Sequence, residues 1–174
     1  RMTKISEWNK LRKSYQELLS CTELNDKSIF NGKWNIFFSL ANQFSKNPPL
    51  RFKAIQRLMD EKLNKNKKEI RILDHGCGSG EMIMYFYAIG YENVYGVNVN
   101  NNVDQINKIL KFLKNDDEKR FFRTDGKLLP FQDNFFDFIL SCQVIEHLHD
   151  SEIDLYYSEE QRTLKIFGYA YHEV

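Results

Sequence analysis

Apolar residues along the chain change their rhythm near residue 70. Before it, Trp8, Leu11, Tyr15, Leu18 and Leu19 recur at the spacing of one buried helical face, which predicts an amphipathic helix over residues 6–20. A polar break with Asn25, Asp26, Asn31 and Gly32 follows, and Trp34, Phe37, Phe38, Ala41 and Phe44 make a second helical stripe. "KNPPL" ends it: Asn47 suits a cap, and Pro48 or Pro49 suits the first turn of a third helix, where the missing N–H costs nothing. Ile55, Leu58, Met59 and Leu63 continue that helix.

After residue 70, short strand-like runs alternate with helical ones. "EIRILD", "NVYGVNV", "KRFFRTD", "FFDFILSC" and "IFGYAYHEV" read as strands, and "GEMIMYFYAIG", "NNVDQINKILKFLK" and "SEIDLYYSEEQRTLK" as the helices between them. Strands separated by helices of this length predict right-handed crossovers and a mostly parallel sheet flanked by helices. The expected organisation is therefore α/β: an N-terminal helical lid or cap over residues 1–66, then a sheet domain over residues 67–174. No internal repeat or low-complexity segment interrupts it.

Composition narrows the class. With 174 residues, 42% hydrophobic and 28% charged, the chain has the make-up of one ordinary globular domain. Its net charge of +1, with acids and bases interleaved, provides no field for a polyanion, so nucleic acid is not the expected partner. The basic run "KLNKNKKEIR" reads as the solvated end of the third helix, where cations favour the negative end of the helix dipole. No apolar run nears the roughly 18 residues of a membrane span, and no signal-peptide stretch opens the chain, which predicts a cytoplasmic location. Cys21, Cys77 and Cys142 lack CxxC spacing and read as reduced thiols.

The chemistry concentrates in "ILDHGCGSGEM", Ile72 to Met82. A glycine-rich turn between a strand and a helix lets backbone N–H groups approach a ligand with no Cβ atoms in the way. The dinucleotide fingerprint GxGxxG requires its third glycine where this chain has Glu81, so a nicotinamide cofactor is disfavoured. Asp74, Gly76, Gly78 and Gly80 instead resemble motif I, D-x-G-x-G-x-G, of the class I S-adenosylmethionine-dependent methyltransferases. "VYGVNV" is similar to that family's second strand, "RTDGKLLPFQDNFFDFI" to its adenine-contacting segment and fourth strand, and "SCQVIEHLHD" to the stretch carrying its EH pair. The likeness covers residues 70–174 and is greatest to the small-molecule, lipid and sugar methyltransferases.

The resemblance implies a Rossmann-like methyltransferase sheet and S-adenosylmethionine as cofactor, with S-adenosylhomocysteine as product. It places Asp74, His75, Gly76, Cys77, Gly78, Gly80, Asn98, Val99, Asp125, Gly126 and Cys142 at the cofactor, beyond the carboxyl ends of the strands. The expected partner is a small-molecule substrate, and oligomeric state stays open. His147 and His172 are the candidate general bases, since a neutral imidazole can take a proton from a hydroxyl or amine. His147 alternatively orients the loop or packs beneath the cofactor, and Asp125 with Gly126 alternatively forms a simple turn. Glu146, His147, His149, Asp150 and His172 are metal-ligand types, but their spacing defines no coordination geometry, and no metal is expected. "NPPL" resembles the NPPY motif of nucleic-acid and glutamine amino-methyltransferases, yet that motif follows strand four, where this chain reads "SCQVIEH".

Two departures from the family pattern stand out. An acid normally ends the second strand to hold both ribose hydroxyls, and here Asn98 stands there, with one carbonyl acceptor and an amide donor. The exchange should weaken cofactor affinity by ~1 to 2 kcal/mol. A catalytically weak or inactive binding module is accordingly the rival function. The other departure is the end of the chain, where "LKIFG" replaces the family's "LKPGG" and the last two strands and their covering helix are not represented after "YAYHEV". That predicts a chain truncated after its fifth strand, which then forms a sheet edge.

Overall fold

Burial at successive positions is what a strand covered on both faces shows, and Ile72–His75 and Phe136–Ser141, with Ile72–Leu73 and Phe138–Leu140 as their apolar cores, form the centre of a parallel sheet. The computed structural model describes residues 50–100, 102–114, 118–125 and 127–174, together with Lys13 and Glu17. The helices expected over residues 6–20 and around Trp34–Phe44 lie outside the described residues. In chain order the elements are α1 (Leu50–Lys62), β1 (Arg71–His75), α2 (Glu81–Ala88), β2 (Asn93–Asn98), α3 (Asn102–Lys114) and β3 (Phe121–Arg123). Then come β4 (Phe136–Cys142), a 3-10 turn (Ile145–His147), α4 (Asp150–Thr163) and β5 (Leu164–Glu173). The strand order is β3-β2-β1-β4-β5 and every pairing is parallel, with Asp74 beside Gly96 on one side and Leu140 on the other. This is the parallel, helix-flanked sheet that the resemblance implies.

Chain order reverses between β1 and β4, so the loops leaving β1, β2 and β4 diverge and open a crevice at their carboxyl ends. One face of the sheet packs on α1, α2 and α3 through Phe52, Ile55, Met59, Phe86, Ile106 and Leu110. The other buries Leu73, Tyr95, Val97, Phe136 and Ile139 against the half-buried rings of Phe122, Phe131 and Phe135. The ring of Phe52 in α1 meets that of Tyr85 in α2 at 4.9 Å, and Arg51 pairs with Glu173 at 2.7 Å, so this last part of the expected lid shares the sheet's core. At the amino end of β4, Asp137 is buried and accepts bonds from Lys65 Nζ (2.5 Å), Lys165 Nζ (2.9 Å) and the Arg71 N–H (3.0 Å). Losing those partners would leave a buried charge uncompensated.

β5 departs from a plain strand. Its register on β4 jumps from Phe136↔Leu164 to Phe138↔Tyr169, so residues 165–168 bulge outward. Phe167, 92% exposed, takes φ 68°, a left-handed conformation that favours glycine, at the place where the resembled pattern has one. Among the described residues β5 pairs only with β4. No described helix is long and apolar enough to cross a membrane.

Candidate functional site

The loop from Gly76 to Gly80 turns the chain from β1 into α2 with all three glycines at positive φ: 99°, 52° and 77°. They do different work. A Cβ on Gly76 would stand 2.3 Å from Cγ2 of Val144, so here the bare backbone admits a neighbouring side chain rather than a ligand. Around Gly78 nothing lies within 4 Å of the same position, and Gly78 lines a cleft. Gly80 precedes the first turn of α2 in left-handed geometry. The loop amides are less bare than the sequence pattern suggests. Gly76 and Cys77 both donate to the Val97 carbonyl (3.0 and 2.9 Å), and Gly80 donates to Cys77 (2.7 Å). Gly76 and Gly78 both line the cleft, and of the two Gly78 has the open space.

Asn98 closes the next side. Its Nδ2 donates to the Gly78 carbonyl at 3.1 Å, and its own carbonyl accepts the Thr124 N–H at 3.0 Å, tying the glycine loop, β2 and the start of the β3–β4 connection together. Val99 and Asp125 continue this wall, and the Asp125 carboxylate also accepts the Lys127 N–H at 3.0 Å, so it is both cleft residue and turn former. Gly126 lies outside the described residues. Across the cleft, Gln143, Val144, His147 and Leu148 come from the segment after β4, and Glu152 and Tyr156 from α4. Glu152 accepts the His149 N–H at 3.0 Å, which fixes the first turn of α4. The enclosed space is about 520 Å³, the size of a small-molecule site.

Of the residues singled out from the sequence, His75, Gly76, Gly78, Asn98, Val99, Asp125 and His147 line this cleft. Asp74, Cys77, Gly80 and Cys142 stand around it without lining it, and so does His172. Burial pushes the Asp74 carboxyl up to about 7. Burial, with the Asp74 charge added, pushes the Cys77 thiol well up and that of Cys142 up to about 12, so neither is an activated nucleophile. Gly96 makes room for Cys77: a Cβ there would stand 2.5 Å from the Phe121 ring and 2.9 Å from Cys77 Sγ. His147, on the 3-10 turn, is exposed at the cleft, whereas His172 Nε2 stands 3.1 Å from Oε2 of the buried Glu160, under α4. Thr124, Gln143 and Val144 lie within the stretches quoted for the resemblance but are not singled out there, and Glu152 and Tyr156 lie outside them.

The arrangement is a chemically mixed slot. The backbones of Gly76 and Gly78 and an exposed valine provide close apolar contact, Asn98 and Asp125 provide polar groups, and Asp125 and Glu152 are its carboxylates. No lysine or arginine is among the described lining residues.

Comparison with known proteins bears on the family and the fold. A family model described as "Methyltransferase domain" matches residues 73–171. Among solved structures, the PH0226 protein of Pyrococcus horikoshii OT3 is 26% identical, with a TM-score of 0.52, covering 69% of this chain and 54% of that one. Geranyl diphosphate C-methyltransferase of Streptomyces coelicolor A3(2), solved with Mg2+, geranyl diphosphate and S-adenosyl-L-homocysteine, is 22% identical with a TM-score of 0.52, covering 68% and 43%. The [4+2]-cyclase SpnF is 23% identical with a TM-score of 0.52, covering 66% and 41%. This chain therefore spans about half the length of these structures. No curated protein matches it.

Proposed function

Since the chain belongs to the methyltransferase-domain family over residues 73–171, we propose that its cleft binds S-adenosylmethionine and that the protein methylates a small-molecule, lipid or sugar acceptor. The observation that carries this reading is Gly78: open space lies where its Cβ would go, and its carbonyl is held by Asn98, the residue ending β2. A cradle that a Cβ would fill, with polar groups at Asn98 and Asp125 beside it, fits a nucleoside carrying an amino-acid tail. The charge supports the same reading, because carboxylates without lysine or arginine suit a cationic cofactor and disfavour a dinucleotide's pyrophosphate.

When bound, the sulfonium cofactor supplies an activated methyl group for in-line displacement by the acceptor. The protein's own contribution is alignment and proton removal. Gly78, Asn98 and Asp125 would hold the cofactor, with Val99 offering an apolar surface to a flat ring. Of the two candidate bases, His147 lines the cleft, so we assign it the acceptor's proton. His172 is held by Glu160 away from the lining, which suits an indirect role. With carboxylates and no lysine or arginine among the described lining residues, a neutral or cationic acceptor fits better than a phosphate ester. Cys77 and Cys142 are free thiols, which supports placing the protein in the cytoplasm.

Asn98 favours a second reading. Its amide donates to Gly78 where the family presents a carboxylate to the ribose, and a weak or inactive binding module would look the same. The [4+2]-cyclase on this fold makes the general point that a fold does not settle a reaction. Calorimetric titration of the folded chain with S-adenosylmethionine and S-adenosylhomocysteine decides between them. Saturable binding together with methyl transfer supports the enzyme; binding with no transfer to any hydroxyl, amine or carbon acceptor supports the module; no binding at millimolar ligand removes the enzyme reading.

A further inference from the structure

Glu160 is a carboxylate where a core residue would be expected. It lies on the sheet-facing side of α4, 3% exposed, between two imidazoles: His75 Nδ1 stands 2.9 Å from Oε1 and His172 Nε2 3.1 Å from Oε2. Tyr156, one turn earlier on the same helix, stacks on His75 with ring centres 4.0 Å apart and planes 8° from parallel, and its hydroxyl donates to Ser141 Oγ at 2.7 Å. His75 and Tyr156 line the cleft, whereas Glu160, His172 and Ser141 do not. One buried acid thus connects the ends of β1 and β5 to the wall of the site.

Burial pulls the Glu160 carboxyl upward, and its contacts with His172 and His75 more than reverse this, leaving it below its ordinary range. An ionised carboxylate has no proton to offer, so each ring nitrogen facing it must carry one. His75 then holds hydrogen on Nδ1 and, when neutral, has a bare Nε2. His172 holds hydrogen on Nε2 and, when neutral, has a bare Nδ1. That Nδ1 is buried with no partner among the described residues, and a bare lone pair is tolerated there better than an orphaned N–H. Oε2 of Glu160 likewise receives no well-aligned hydrogen bond among the described residues, so the His172 contact is its compensation.

We propose that Glu160 is a positioning residue for the cleft: held between His75 and His172, it sets the tautomer of His75 and, through the His75–Tyr156 stack, the orientation of the wall a ligand meets. Its effect on affinity rests on the S-adenosylmethionine reading, while its effect on the rings does not. Glu160→Gln keeps the shape of the side chain but offers one acceptor and one donor, so one of the two imidazoles must turn a bare nitrogen towards it.

The test uses the full chain with nitrogen-labelled histidines, read by proton–nitrogen correlation spectra at about pH 8, above the ordinary histidine pKa. The parent protein should show hydrogen on His75 Nδ1 and on His172 Nε2; a bare His75 Nδ1 overturns the proposal, whether or not any variant folds. In Glu160→Gln one ring should change its protonated nitrogen, and calorimetry should show S-adenosylhomocysteine binding weakened about tenfold, the loss of one modest hydrogen bond's worth of order. Unchanged rings and affinity in a folded variant also overturn it. If the parent protein binds no S-adenosylhomocysteine, the functional reading fails and the ring spectra alone decide this inference.

Discussion

Replacing Gly76 and Gly78 separately by alanine adds the same methyl group two residues apart and should produce opposite phenotypes. At Gly76 the backbone has φ 99°, beyond the small left-handed region open to L-residues, and the new Cβ would stand 2.3 Å from Val144 Cγ2. Backbone strain of about 1–2 kcal/mol and overpacking of about 1–3 kcal/mol add to a loss of roughly 2–5 kcal/mol. For a chain of this size that lowers the unfolding midpoint by on the order of 10 °C. At Gly78 the φ of 52° lies inside the left-handed region and nothing stands within 4 Å, so only strain of about 1–2 kcal/mol applies. Its methyl group would project into the cleft, and binding of S-adenosylhomocysteine should fall at least about tenfold, a change of some 1.4 kcal/mol. Thermal unfolding and calorimetric titration of both variants read the two effects. On a Val144→Ala background the Gly76→Ala penalty should shrink by the overpacking part, about 1–3 kcal/mol. The reasoning is refuted if Gly78→Ala binds like the parent, or if the Gly76→Ala penalty is unchanged when Val144 is truncated.

Asn98→Asp removes the amide donated to the Gly78 carbonyl and adds a second acceptor at the end of β2; it should lower unliganded stability by about 1 kcal/mol while tightening cofactor binding by ~1 to 2 kcal/mol. Unchanged affinity would show that the ribose is held elsewhere. Asp74, pushed by burial up to about 7 in the folded chain, takes up a proton on folding, so its contribution to stability is complete below the unfolded carboxylate range and is lost as pH rises through about 7. Asp74→Asn should therefore flatten the fall of the unfolding midpoint between about pH 4 and 7, and an unchanged slope would contradict that assignment. Phe167→Gly relieves a left-handed conformation on an exposed ring and should raise the midpoint by about 2–4 °C; no rise would show that the bulge is unstrained.

Much of this architecture is written locally. Ile72–Leu73 and Phe138–Leu140 are apolar at successive positions because both faces of a central parallel strand are covered, and Gly90, at φ 106°, stops the helix before β2 where its type predicts. Gly78, Asn98, Asp125 and His147 are legible because each sits at the carboxyl end of a strand or just beyond it. Long-range packing is what hides the rest. Gly76 is required by Val144, which is 68 residues away, and no local pattern announces that pair. Glu152, Tyr156 and Glu160 recur at one-turn spacing on α4, a polar stripe on a face that should be apolar, and that stripe was the available signal for the second wall. The cation-free lining is likewise a property of the assembled cleft, since lysine and arginine are plentiful along the chain.

A crystal structure of the chain grown with saturating S-adenosylhomocysteine tests the central claim most directly. The account predicts ligand density in the cleft, in contact with the Gly78 backbone and reaching Asn98 and Asp125. An empty cleft at saturation, or density bound elsewhere on the protein, would contradict it.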